Sequence, residues 1–125
     1  MDQLKTYSPL IARLFIGGFF LLAGVGKIGD VAGTAGYIQS VGLPGVLAWP
    51  AILFEIAVGL SLILGFMVRP VALAGAAFCI FTALMFHNNL ADQIQMIMFL
   101  KNFSIAGAFL MFFAHGAGKL ALDKA

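Results

Sequence analysis

Glu55 and Lys101 sit deep inside long apolar runs, and that placement makes them the side chains best able to do chemistry in this chain. An ionised Asp, Lys or Arg costs roughly 2.5–3.5 kcal/mol at the centre of a helix inserted in a bilayer, so each such group needs a partner or a wet cavity. Asn102 adjoins Lys101, Gln95 lies on the same stretch, and Lys27 and His87 stand where two other apolar runs end. These residues form one candidate polar pocket: Lys27, Glu55, His87, Lys101 and Asn102. A structural alternative uses the same residues: a Glu55–Lys101 ion pair that ties two helices together and sets their register.

His87 is by type a proton carrier, a metal ligand or an interfacial hydrogen-bonding group. The second imidazole, His115, is expected at the opposite face of the membrane, which argues against a two-histidine metal site. Met85, Met96 and Met98 lie among Phe and Ile with no cysteine partner, and read as apolar filler. Cys79 is the one cysteine, so neither an intrachain disulfide nor a CxxC pair is possible, and it reads as a small buried residue. The chain contains no phosphate-binding glycine loop, haem-attachment motif or nucleophile elbow. A net charge of +2 from scattered Lys and Arg is too weak for nucleic-acid binding.

The elements that must position these groups follow from composition. Hydrophobic residues make up 62% of the 125 residues and charged ones 10%. Soluble domains hold about 45–50% and about 25% respectively. Four apolar stretches, 9–26, 46–67, 70–86 and 94–114, each approach the roughly 17–25 residues needed to cross hydrocarbon. They lack the polar face of an amphipathic helix and the short alternating strands of a membrane barrel. The fold class is therefore an all-α membrane protein, a four-transmembrane-helix bundle forming one domain over residues 1–125. Arg13 interrupts the first apolar run, which is read as a retained helix rather than a signal peptide. Pro70 opens the third span, and a short interfacial helix is expected near residues 35–40, with Tyr37 and Trp49 at headgroup level.

An even number of spans puts both termini on one side, with Lys5, Arg69, Lys119 and Lys124; the other side has Lys27 near a membrane end. The positive-inside rule makes the termini cytoplasmic. Glu55 and Lys101 then lie roughly 13 and 10 Å below the outer face at about 1.5 Å rise per residue. Lys27 and His87 emerge at that face, and Arg13 stands apart towards the cytoplasmic leaflet. Close helix contact in lipid uses small residues, for which Ala57, Ser61 and Gly65 make one row and Gly17 with Gly24 another.

Arg13, Gly17, Phe20, Gly24 and Lys27 form an R-x3-G-x2-F-x3-G-x2-K pattern. Glu55, Gly59, Leu62 and Gly65 form E-x3-G-x2-L-x2-G. With Gly42–Leu43–Pro44, Arg69 and Lys101–Asn102, these residues resemble the DoxX-like family of small integral membrane proteins, from about Ile11 to Asp123. The ending departs from the commoner GPGxxSLD at Ala117 and Ala121, and no functional weight is put on the tail. The resemblance implies a four-helix bundle in the bacterial inner membrane. It also implies a redox link, because some relatives are subunits of a thiosulfate:quinone oxidoreductase and others accompany complexes handling oxidative or thiol stress.

The leading expectation is an accessory or quinone-interacting subunit of a membrane redox complex, itself non-catalytic. Lys101, His87 and Asn102 would donate to carbonyl oxygens of a non-covalently held quinone, and Glu55 would keep Lys101 charged or pass protons. The partners are then the bilayer and a redox enzyme. Two other readings stand beside it: a small solute or proton transporter acting as a homo-oligomer, and a ligand-free scaffold or assembly factor.

Overall fold

A computed structural model describes residues 2–123. Helix α1 spans Asp2–Ile28, α2 Val31–Ser40, α3 Ala48–Leu64, α4 Val68–Phe86 and α5 Gln93–His115, with a 3-10 turn at Gly45–Leu47 leading into α3. No strand occurs among the described residues. Helices α1, α4 and α5, and α3 with its leading turn, are each long and apolar enough to cross a membrane. Their outward faces carry Phe15, Leu22, Leu53, Leu84, Ile94 and Met111, all exposed. Such a belt would be a liability in water but matches a hydrocarbon solvent, where a helix satisfies its own backbone polar groups.

Local chemistry explains most of the boundaries. Asp30 caps α2 by accepting from the Gly33 amide at 2.9 Å, and Asp92 caps α5 by accepting from Ile94 at 2.9 Å and Gln95 at 3.4 Å. Gly65 ends α3 in the left-handed region of backbone space, which glycine enters without a Cβ penalty. Its amide donates to Leu62 O while Phe66 N donates to Ser61 O, a Schellman-type closure. The expected short helix is present as α2. Helix α1 starts at Asp2, ahead of the expected start at Pro9. The backbone bond that Pro9 cannot donate would have gone to the carbonyl of exposed Lys5, so the helix runs through it.

Helix α1 packs along α3, and α4 along α5, while contacts between the two pairs are sparser. The seam of the first pair consists of glycines. A Cβ on Gly17 would lie 2.9 Å from Gly59 O, one on Gly59 2.6 Å from Leu21 N, and one on Gly24 2.7 Å from Ile56 Cγ1. Gly17 and Gly24 thus act as expected, but the partner row on α3 centres on Gly59 rather than on Ala57, Ser61 and Gly65. Glu55, Val58, Gly59 and Leu62 face inward, and the helical period then turns Ala57 outward, where it is exposed. Between the pairs, Phe20 meets Phe109 edge-on at 5.4 Å, and the Phe109 ring lies against Gly75, where a Cβ would come within 2.7 Å of it.

The end of the bundle holding the N-terminal part of α1 and the α3–α4 turn is closed by the tail. Arg13, fully buried, donates from Nη1 to Leu62 O at 2.9 Å and from Nη2 to Leu120 O. The Asp123 carboxylate accepts from Met67 N at 2.8 Å and Val68 N at 2.9 Å, capping α4. Leu122 N and Asp123 N donate to the free carbonyls of Leu64 and Gly65 at 3.2 and 2.8 Å. The tail, given no functional weight from sequence, has a structural role: it satisfies both helix ends at this turn. Lys124 lies outside the described residues.

Candidate functional site

At the opposite end, α1 and α4 finish, α3 and α5 begin, and α2 crosses between them. A cavity of about 550 Å³ lies there between the two helix pairs. That size is usual for small-molecule sites. Lys27, Glu55, His87, Lys101 and Asn102 all line it. The antiparallel course of consecutive spans brings them to one level, and helix rotation turns them towards one space.

The expected Glu55–Lys101 ion pair is replaced by a different one. Glu55 accepts a 2.5 Å salt bridge from Lys27 Nζ, and it is the one salt bridge among the described residues. Helical side chains lean towards their own N-terminus. In the antiparallel α1–α3 pair, Lys27 therefore leans back along α1 while Glu55 leans towards the start of α3, and the two converge. Lys101, on α5 across the cavity, instead sits over the Phe19 ring, 5.1 Å from its centroid. This is a cation–π contact between the helix pairs.

The second helix pair has its own polar tie. Asn102, 8% exposed, donates from Nδ2 to Thr82 Oγ1 at 3.1 Å, and Thr82 donates to Cys79 O at 3.1 Å. His87 Nδ1 and Gln95 Oε1 are 3.2 Å apart, joining the end of α4 to the start of α5. Tyr37 of α2 stacks on Phe86 at 5.1 Å, its hydroxyl donating to Phe86 O at 3.4 Å, so it caps the cavity rather than simply marking a headgroup level. Cys79, read from sequence as filler, is buried and also borders the cavity.

Thr82 escaped notice in the sequence, and Tyr37 was assigned only to the headgroup level, because neither is charged at neutral pH, so neither stands out as a site residue. Phe78, Thr82 and Phe86 lie four residues apart, one face of a helix, and that spacing was the signal available for α4. Chemically, the site presents an ammonium, an amide, an imidazole and hydroxyls on aromatic walls formed by Phe19, Phe20, Phe54, Phe78, Phe81 and Phe86. It is suited to holding a polar head on an apolar body. His115 is exposed at the far end of α5, away from this site.

The DoxX family model matches residues 8–88. Inner membrane protein YqjF of Escherichia coli (strain K12) is 38% identical over 124 residues, 99% of this chain and 95% of the relative. Inner membrane protein YphA of the same organism is 34% identical over 122 residues, 92% of this chain and 87% of the relative. No solved structure matches. The R-x3-G-x2-F-x3-G-x2-K residues make up the inward stripe of α1 and its salt-bridging Lys27, and they fall within the matched region. With four helices able to cross a bilayer and relatives of the inner membrane along almost its whole length, this chain belongs to the DoxX family of multi-pass inner-membrane proteins.

Proposed function

We propose that this protein is an accessory, quinone-interacting subunit of a membrane redox complex, with the cavity receiving the quinone head group. The observation that carries the reading is the convergence of Lys101, Asn102 and His87 on one aromatic-walled space between the helix pairs. Lys101 and the amide of Asn102 are donors suited to carbonyl oxygens, and the phenylalanines suit the ring. When bound, a quinone would supply the two-electron redox chemistry. This chain's part is to bind and orient it, with the Lys27–Glu55 bridge holding the α1–α3 wall in place. A partner enzyme would deliver the electrons.

Charge distribution supports an orientation with cytoplasmic termini. Lys5, Arg69 and Lys119 belong to the end closed by the tail, while the cavity is at the other end, so the positive-inside rule turns the cavity towards the outer face. Binding of a short-chain quinone to the purified protein in nanodiscs, with loss in a Lys101→Met Asn102→Leu variant, tests the reading. Absence of saturable binding, together with no redox enzyme co-purifying, overturns it. A scaffold role is favoured by one observation: Glu55 is already spent on joining α1 to α3. That role predicts that the double variant retains its physiological function.

A further inference from the structure

The charges around the cavity do not balance. Lys27 and Glu55 neutralise each other across 2.5 Å. Among the described residues, the lining of the cavity holds no second carboxylate. Lys101 is left as an ammonium with no carboxylate within 4.0 Å among the described residues. It rests on the face of Phe19, which attracts a cation without neutralising it. Lys101 is half-buried on a helix apolar enough to span the membrane. A lone cation on a low-dielectric wall gains most from an oxyanion that enters with its own apolar body.

We propose that the cavity selects amphiphiles bearing a single negatively charged oxygen head, with the head on Lys101 and the apolar body along the phenylalanine walls. This rests on the reading of the cavity as a ligand site and specifies the charge of what fills it. Asn102 borders the same space, and its amide nitrogen, which gives one hydrogen to Thr82, carries a second for the same head. Glu55 reinforces the selection indirectly: its bridge to Lys27 leaves no free carboxylate in the wall to repel an anion or to capture Lys101.

The test uses the full chain in phosphatidylcholine nanodiscs and two photoreactive probes of equal chain length, a dodecanoic acid and a dodecanol, each with a diazirine at the chain end. Labelled peptides are quantified with and without excess of the same lipid lacking the diazirine. The acid should label cavity peptides about tenfold more than the alcohol, the ratio expected from one charge-assisted hydrogen bond. Lys101→Met should bring that ratio close to one, and Lys101→Arg should retain it. Equal labelling by acid and alcohol in the wild type overturns the proposal, and needs no variant to fold. A preserved ratio in Lys101→Met also overturns it. A short-chain quinone run in parallel separates the two readings. Acid selectivity without quinone binding supports this proposal and removes the quinone, whereas quinone binding without acid preference does the reverse. No saturable binding of any probe overturns both.

Discussion

Lys27, the last polar residue of α1, grips Glu55 on α3 in a 2.5 Å bridge, and the two partners are unequally buried: the Lys27 side chain is 41% exposed and that of Glu55 6%. The same helix pair is tied at its other end by Arg13 on the Leu62 carbonyl. Between these two polar ties, set four helical turns apart on α1, runs the glycine seam of Gly17, Gly24 and Gly59.

The unequal burial predicts unequal mutants. Lys27→Met leaves a buried carboxylate unpartnered and should cost about 1–3 kcal/mol or more. Glu55→Gln leaves an ammonium that reaches water and should cost less. The double variant should recover part of the loss. Thermal denaturation in mild detergent would read this, and a harmless Lys27→Met would show that the bridge does not hold the helices.

The glycine seam makes a steric prediction. At Gly59 a larger side chain would be forced into the backbone of α1 at Leu21. Gly59→Leu should therefore destabilise by about 1–3 kcal/mol or disrupt the fold. Ala57→Leu, two residues away but facing outward, should be neutral. If both variants melted alike, the assigned rotation of α3 would be wrong.

The tail should behave as part of the fold. Asp123→Ala removes the cap from Met67 N and Val68 N. Loss of such a cap should cost about 1 kcal/mol. Limited proteolysis should then cut the segment after Gly116 faster than in the wild type. Unchanged cleavage would mean that the tail is not docked in the membrane-embedded protein.

Orientation is open to direct measurement. In a Cys79→Ala background, a cysteine at Asn89, in the α4–α5 connection, should react with an impermeant maleimide added to intact spheroplasts. One at Gln3 should react only after permeabilisation. The reverse pattern would invert the assignment of the cavity to the outer face.

Most of the architecture was legible in the residues. Hydrocarbon requires each spanning segment to satisfy its own backbone, so run length and apolarity alone placed α1, α3, α4 and α5. Antiparallel succession then determined which ends share a level, while helix rotation in the folded bundle turned all five candidate residues into one cavity. The start of α1 was misplaced because a proline inside a helix is harmless where the unmatched carbonyl reaches water.

The pairing of Glu55 was beyond the sequence. By depth alone Lys101 matched Glu55 and Lys27 stood at the outer face, but partnership also depends on rotation about the helix axis, on the choice of neighbour and on the direction in which a long side chain leans. The glycine seam joined α3 to α1, the lean of the side chains brought Lys27 onto Glu55, and Lys101 was left facing the cavity across from them. The docking of the tail belongs to the same class: Asp123 meets α4 only because the folded chain returns its end to the α3–α4 turn, where unpaired backbone groups attract a carboxylate.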